Sequence, residues 1–380
     1  MTSITLTGTV RARAPEDTWE ALKPEIGRFG ISRVARLTGL DHLGIPVWTA
    51  VRPSAHTLVT SQGKGATDTL AKISAVLEAA ELWHAEQPLT PDVRSPHRRL
   101  DVPYPLYELP VKIDHPSLAD VPLDWVTGRG LVSGEPVLVP ADVVRRELRP
   151  VSEPEIFHVT SNGLACGNTL AEAELHALLE TVERHALHED YADGGRDRTL
   201  VDPATVTDPY CRNLIDTFLG AGMWLEIAWV GNVFGLPVCA AYIWSEDYPI
   251  VFAGSGCHFR PGIALSRALT EAAQSRLTCI AGTRDDLDSH ENAFAASPER
   301  PVLAELPVRA WPVAHPFEPE DKDLAGHLGS IAFTVGAVTG YEPVTFTLHD
   351  SPAYAAVKVV APGLEMRITR SIPRPGGRRG

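Results

Sequence analysis

The sequence is poor in cysteine, in long apolar runs and in basic residues, and each shortage excludes a class of protein. Its five cysteines are widely spaced and form no Cys-x-x-Cys pair, which argues against a disulfide framework or a structural zinc site. No apolar run approaches the roughly 20 residues of a membrane-spanning helix, and the first ten residues lack the features of a signal peptide. We therefore expect a cytoplasmic protein without a membrane segment.

The charge balance excludes nucleic acid as the main partner. Lysine and arginine number 34 against 48 acidic residues, so the formal net charge is -14. The sequence also lacks the GxxxxGKS or GxxxxGKT motif, so it contains no P-loop. With 380 residues and 44% hydrophobic content, the chain can nevertheless bury a large core.

A short acidic pattern occurs three times in the chain. Alanine is followed three residues later by glutamate, and three residues after that by glutamate or glutamine, in Ala75–Glu81, Ala177–Glu183 and Ala268–Gln274. The apolar spacing around each copy predicts a helix, with the acidic side chains at the rim of its buried face. Like charges in that position repel unless a cation lies between them. If the three helices meet, their carboxylates and neighbouring arginines fit divalent cations and a polyphosphate.

Each of these helices follows a predicted strand and glycines. The segment from Ser161 to Asp190 is the clearest case, because Gly163 and Gly167 loosen the backbone and Asn168 with Thr169 can cap a helix. Further along the chain, Ile331–Val338, Pro343–Leu348 and Ala355–Val360 are predicted strands. The pattern indicates a mixed α/β (α+β) fold with repeated strand–helix units. We divide it into an N-terminal segment (1–60), a catalytic domain (61–372) and a flexible tail (373–380).

These motifs resemble those of the YcaO proteins, from Ser61 to about Gly363. The matching residues are Ser74, Glu78 and Glu81 (SxxxExxE), then Asn168, Glu172, Glu180, Glu183 and Arg184 (NTxxE with ExxER), then Arg267, Glu271, Gln274 and Arg276 (RALTEAxQxR). The resemblance implies three acidic helices packed around one site for ATP and Mg²⁺.

The resemblance also implies a role for each motif residue. Magnesium is assigned to Glu78, Glu81, Glu172, Glu180 and Glu183. ATP is assigned to Lys64, Ser74, Asn168, Arg184, Arg267, Gln274 and Arg276, and catalysis to Arg184, Arg267 and Glu271. Helical projection places Arg276 opposite Arg267, amid apolar residues, so a structural salt bridge is an open alternative for it.

The activity that the resemblance implies is ATP-dependent activation of a peptide backbone amide. A nucleophile adds to the carbonyl, the oxyanion takes the γ-phosphate of ATP, and phosphate leaves. The end of the chain, Pro373-Arg374-Pro375 followed by glycines and arginines, departs from the Pro-x-Pro-x-Pro tail of azoline-forming members. The sequence also shows no fused leader-binding domain.

These departures favour thioamide formation on a precursor peptide or protein, with a TfuA-like or other leader-binding partner and with the chain as a homodimer. Azoline formation, amidine formation and a non-catalytic sulfur-transfer scaffold remain alternatives. The complete acidic set argues against the scaffold.

Overall fold

The chain folds into several sheets and helices in a computed structural model, which describes residues 3–112, 115–146, 155–284, 286–287, 290–294, 299–311, 322–366, 372 and 374. The helices are α1 (Pro15–Leu22), α2 (Asp68–Ala85), α3 (Ala141–Val144), α4 (Leu170–Ala192), α5 (Pro209–Gly220), α6 (Pro261–Ala281) and α7 (Leu324–Thr339). The strands are β1 (Ile4–Leu6), β2 (Thr9–Arg11), β3 (Arg33–Arg36), β4 (Val47–Val51), β5 (Thr60–Lys64), β6 (Val93–Pro96), β7 (Pro122–Gly130), β8 (Pro136–Pro140), β9 (Leu164–Gly167), β10 (Arg198–Val201), β11 (Trp224–Val230), β12 (Val238–Ser245), β13 (Tyr248–Cys257), β14 (Val308–Arg309), β15 (Val344–Asp350) and β16 (Ala355–Val360).

Three sheets place the helices around a common region. A six-stranded sheet runs in the order β6-β7-β15-β16-β9, with β8 on β7, and a five-stranded sheet runs β13-β12-β11-β10-β14. A third sheet has the order β3-β4-β5. The fold is therefore mixed α/β, as the sequence predicts. The sequence boundary at residue 60 falls inside the third sheet, because β4 pairs with β5 from Val51↔Thr60 to Val47↔Lys64.

The strands β5, β9 and β13 each lie at an edge of their sheet, and each leads into a long helix: α2, α4 and α6. Glycine lets each helix lie directly on its own strand. A Cβ at Gly63 would lie 2.0 Å from Ala75 N, one at Gly167 would lie 2.6 Å from Ala173 N, and one at Gly254 would lie 2.3 Å from Ala272 N. Any larger residue would push the helix away from the strand.

The six-stranded sheet is covered on both faces. Alternate residues of β16 point to opposite sides, so Ala355, Val357 and Val359 pack into the cluster around α4 and α7, whereas Ala356 packs into the cluster around α1 and α2. The second acidic helix therefore covers one face of this sheet and the first acidic helix covers the other.

One sequence prediction needs correction. The segment Ile331–Val338 is not a strand but lies within α7. Its β-branched residues favour a strand locally, but Leu324, Leu328, Ile331, Ala332 and Val335 are buried at helical spacing, and the Asp323 side chain caps the helix at Gly326 N.

Of the predicted tail, Arg374 is the only residue within the described part of the chain. Its guanidinium donates to the buried carboxylate of Glu226 on β11 at 2.7 and 2.6 Å.

The five cysteines are free, and all but Cys279 are buried. Across the described segments, no helix combines the length and the apolar character needed to cross a membrane.

His84 should make the protein sensitive to acid. Burial, followed by the positive neighbours His349 and Arg28, lowers the pKa of His84 to about 3, and its ring nitrogen Nε2 lies 2.8 Å from Tyr354 Oη. Below pH about 6.5 the unfolded chain takes up a proton at this residue and the folded chain does not, so stability present above that pH is lost as the pH falls toward 3. Between pH about 7 and about 5, the wild type should lose about 2 kcal/mol more than His84→Gln in urea unfolding. Equal losses in the two proteins would contradict this assignment.

Candidate functional site

The first acidic residue of each repeat lies in one electrostatic cluster. The three residues are Glu78 on α2, Glu180 on α4 and Glu271 on α6. The charges of Glu271 and Glu180 raise the pKa of Glu78, whereas Lys64 and Arg284 lower it. Burial is the main cause that raises the pKa of Glu78 to about 7 and also raises that of Glu180. Three sheets thus bring residues distant in sequence to one place.

Glu271 differs from the other two because cations surround it. Burial raises its pKa, but Lys64, Arg184 and Arg267 outweigh that effect and bring the pKa below its ordinary value. Lys64 Nζ donates to Glu271 Oε2 at 2.8 Å. The last residue of β5 and the middle of α6 are thereby joined across the site.

The last residue of each repeat, a glutamate or a glutamine, binds the backbone of a neighbouring edge strand. Glu81 of α2 accepts the N–H of Cys166 on β9 at 2.7 Å, and Glu183 of α4 accepts the N–H of Cys257 on β13 at 2.9 Å. Gln274 of α6 donates to the carbonyl of Gln62 on β5 at 2.9 Å. Each helix is therefore tied to the strand of the next unit, and the three ties close a ring.

The two cysteines hold equivalent places in this ring. Cys166 and Cys257 each precede the alanine of their repeat by eleven residues. Burial raises the pKa of both thiols well above the ordinary value, and the neighbouring Glu81 and Glu183 add to the effect. Both side chains are therefore protonated and packed.

Arginines complete the cluster. Arg184 lies 3.7 Å from Glu180 and 3.6 Å from Glu183, and burial does not stop these carboxylates from raising its pKa above the ordinary value. Among the described residues, Nε of Arg267 is buried without a hydrogen-bond partner, as is Oε1 of Gln274. Buried polar atoms in native proteins are nearly always bonded, so these two indicate room for a ligand.

Glu172 and Asn168 are held by the N-terminal segment. The Glu172 carboxylate accepts Arg11 Nη1 at 3.2 Å, Ala12 N at 2.7 Å and Asn168 Nδ2 at 3.2 Å. The Asn168 side chain in turn accepts the hydroxyl of Thr18 at 2.7 Å. The structure thus gives both residues the task of fixing β2 and α1, and their predicted ligand roles stay predictions. Ser74 lies in α2 where that helix packs on Gly63.

Arg276 requires a correction. Its guanidinium binds Asp41 at 3.0 Å, Ser245 at 2.8 Å and Asp247 at 2.8 Å, and the side chain is 2% exposed. All three guanidinium nitrogens thus have partners outside the cluster of Glu78, Glu180 and Glu271. It is a buried structural ion pair and not a contact of the cluster.

The carboxylates do not form a metal centre by themselves. Within the part of the chain that the structure describes, no group of three or more His, Cys, Asp or Glu side chains is arranged to hold a metal ion. The reason is visible in the contacts above: lysine and arginine side chains alternate with the glutamates. Such a mixture suits an ion that arrives together with a polyanion.

A family model described as YcaO cyclodehydratase, ATP- and Mg²⁺-binding, matches residues 62–365. The chain belongs to the YcaO family. ATP and Mg²⁺ are the ligands in that description, so the cofactors expected from the sequence are confirmed for the family. The sequence resemblance to YcaO proteins is likewise confirmed.

Similar proteins extend over almost the whole chain. An uncharacterized protein of Mycobacterium tuberculosis is 37% identical over 94% of this chain and 83% of its own length. An uncharacterized protein in the tfuA 3′ region of Rhizobium leguminosarum bv. trifolii is 34% identical over 94% of this chain and 89% of its own length.

Solved structures share the fold. YcaO from Methanopyrus kandleri, bound with AMPPCP and Mg²⁺, has a TM-score of 0.75 at 21% identity, over 98% of this chain and 100% of that chain. A heterocyclase in complex with substrate and cofactor also has a TM-score of 0.75, at 19% identity, over 96% of this chain and 54% of that one.

Sequence reasoning missed four residues of this YcaO site: Arg11, Ser255, Arg284 and Lys358. Ser255 donates to Glu183 at 2.6 Å, and Arg284 acts on Glu78. Nothing in the local sequence distinguishes Arg11 or Arg284 from surface arginines. Lys358 could have been found, because it stands alone among apolar residues in Ala355–Val360.

Lys64 and Arg276 should behave in opposite ways when they are replaced. Lys64→Met removes a cation of the cluster, so the affinity for a Mg²⁺–nucleotide should fall about tenfold. Arg276→Met breaks a buried ion pair and removes the guanidinium partner of Asp41, which should cost about 3–5 kcal/mol of stability with unchanged nucleotide affinity. Calorimetric titration and thermal melts measure both quantities. A folded Arg276→Met protein that no longer binds nucleotide would contradict the correction made above.

Proposed function

We propose that this protein uses ATP and Mg²⁺ to activate a backbone amide of a peptide or protein for replacement of its carbonyl oxygen. The observation that carries the proposal is the cluster of Glu78, Glu180 and Glu271 with Lys64, Arg184 and Arg267. Carboxylates and cations alternate there, with their side chains half-buried, which is the composition that a divalent cation and a triphosphate require together.

The residues present fit these ligands. Desolvation raises the pKa of Glu78 and of Glu180 by more than their cationic neighbours lower it, and a magnesium ion would add the positive charge that stabilises both carboxylates. The unpartnered Nε of Arg267 and Oε1 of Gln274 can each bond to a nucleotide or its hydrating water. Both features support a site that is complete only with its ligands.

Each residue then has a definite task. Glu78 and Glu180, with the oxygen of Glu81 that does not accept the Cys166 N–H, would hold Mg²⁺, and Glu183 orients Arg184. Lys64, Arg184 and Arg267 would contact the phosphates, and Glu271 holds Lys64 in place. When bound, ATP supplies the phosphoryl group that makes the amide oxygen a leaving group, and Mg²⁺ offsets the phosphate charge. Partial burial strengthens these interactions, because water screens them less than at a fully exposed surface.

Thioamide formation is the reaction that we favour. The peptide amide, ATP and sulfide give the thioamide, ADP and phosphate, so the sulfur must come from outside the peptide. A relative in the tfuA 3′ region supports a TfuA-type partner, and Pro373-Arg374-Pro375 followed by glycines and arginines departs from the Pro-x-Pro-x-Pro pattern of azoline-forming members. We propose that the protein acts as a homodimer in the cytoplasm on a ribosomally made precursor.

Azoline formation is the second candidate. It is favoured by the cyclodehydratase description of the family and by the fold shared with a heterocyclase. Here a Cys, Ser or Thr of the peptide itself would attack the preceding amide, and one water would be lost. An amidine-forming reaction would likewise take its nucleophile from the peptide.

Glu180→Gln tests the metal site. The amide oxygen can still accept the N–H of Gly163, 3.1 Å from Glu180 Oε2, so the fold should survive while the negative charge is lost. ATP turnover should fall by at least about a hundredfold. Glu20→Gln, on the exposed side of α1, is the matched control. Wild-type turnover in a Glu180→Gln protein with an unchanged circular dichroism spectrum would refute the site.

The mass of the product distinguishes the two reactions. With ATP, Mg²⁺, sulfide and the cognate peptide, the product should be heavier by the difference between sulfur and oxygen, and omission of sulfide should leave the peptide unmodified. A product lighter by one water without any sulfur donor, and dependent on Cys, Ser or Thr in the peptide, would instead establish azoline formation. Mass spectrometry of the peptide decides between them.

A further inference from the structure

Lys358 is a charged residue in the middle of an apolar strand. It lies on β16, which is buried throughout, and its side chain is 5% exposed. Lysine is almost never buried to this degree unless its ammonium group is paired with a partner. The local sequence Ala-Ala-Val-Lys-Val-Val would pack better with an apolar residue at this position.

The ammonium group of Lys358 binds the turn that precedes β9. Its Nζ donates to the carbonyl oxygens of Thr160 at 2.9 Å and Asn162 at 2.8 Å. A separate backbone bond joins Val359 N to Gly163 O at 2.7 Å. Three hydrogen bonds therefore hold the turn from Thr160 to Gly163 against β16.

This turn ends at the residue that binds Glu180. Gly163 has φ +77°, and a Cβ there would lie 2.4 Å from Val359 O, so the turn fits against β16 in one way. In that conformation Gly163 N donates to Glu180 Oε2 at 3.1 Å. The peptide group between Asn162 and Gly163 thus links the turn to the Glu180 carboxylate. Its carbonyl oxygen accepts from Lys358, and its N–H donates to Glu180.

Lys358 and Glu180 also interact through charge. Glu180 raises the pKa of Lys358, although burial is the larger effect and lowers it to about 8. Lys358 in return lowers the pKa of Glu180. Within the described residues, Lys358 makes no hydrogen bond to Glu78 or Glu271. Its effect on the cluster is therefore directed at Glu180.

We propose that Lys358 is a positioning residue for the metal site: it fixes the turn from Thr160 to Gly163 and thereby the Glu180 carboxylate. This inference rests on the proposed function, in which Glu180 holds Mg²⁺. Residues that orient a metal ligand typically change metal affinity by about 10–100-fold when they are removed. A residue that only anchors a turn would change stability and leave the metal requirement unchanged.

Lys358→Met tests this role, because methionine retains the length and apolar stem of lysine and removes the donors. The measurement is the Mg²⁺ concentration needed for half-maximal binding of AMPPCP by the full-length protein. We expect that concentration to rise at least about tenfold, with unchanged affinity for AMPPCP in the absence of Mg²⁺. Lys72→Met is the matched control, since Lys72 lies on α2 over the Trp19 ring, 3.4 Å from its centre, and should show the wild-type requirement.

A wild-type Mg²⁺ requirement in folded Lys358→Met would overturn the inference while leaving the proposed function intact. An equal loss of binding with and without Mg²⁺ would also overturn it, because it would indicate general damage. If Lys358→Met does not fold, Lys358→Gln is the second variant: its amide nitrogen is neutral and one bond closer to the backbone than Lys Nζ, so it should hold the turn less well and give an intermediate requirement. A wild-type value there would show that the ammonium group is not needed and would refute the role. Failure of the wild type to bind AMPPCP with Mg²⁺ would refute the proposed function and this inference with it.

Discussion

The structure depends on how the open edges of three sheets are closed. An edge strand presents unpaired N–H and carbonyl groups, which are costly to bury. Here the last residue of each acidic repeat provides the partner: Glu81 for β9, Glu183 for β13 and Gln274 for β5. Each of these hydrogen bonds satisfies one backbone group of an edge strand, and together they link the three strand–helix units into one ring. Because the bonds reach across units, no single unit can form the site.

The ring sets the positions of the chemically important side chains. The shared interior lies one turn before each linking residue, at Glu78, Glu180 and Glu271. There Glu180 and Glu271 raise the pKa of Glu78, and Arg184 lowers the pKa of both Glu180 and Glu271. Gln274 shows that the linking position does not require a charge, since an amide serves there. The facing positions are glutamate in all three repeats, so a negative charge is present at each position that faces the shared interior.

The N-terminal segment contacts α4 and the segment just before it, next to the ring. Arg11 and the Ala12 N–H bind Glu172, and Thr18 binds Asn168, so residues before the YcaO match at 62–365 contribute to the surroundings of the site. Arg11 Nη1 also lies 2.5 Å from His176 Nε2, and burial, together with Arg11, lowers the pKa of His176 well below its ordinary value. A neutral His176 accepts from this arginine, which makes it a packing partner of the N-terminal segment.

The sequence alone determined the three acidic helices, because the apolar period and the repeated Ala-x-x-Glu spacing are local features. It also identified the family, since Ser74, Asn168, Glu180 and Arg267 stand at fixed spacings within their motifs. It could not assign different roles to Glu78 and Glu81, because residues three apart lie on the same side of a helix. Only the contact with the neighbouring strand gives Glu81 a role that Glu78 does not have. The tertiary structure decided that difference, moved Arg276 into an ion pair with Asp41 and brought Lys358 to Glu180. Each of these contacts joins residues far apart in the chain, and their energies depend on burial and on distances that exist only once the sheets have packed together.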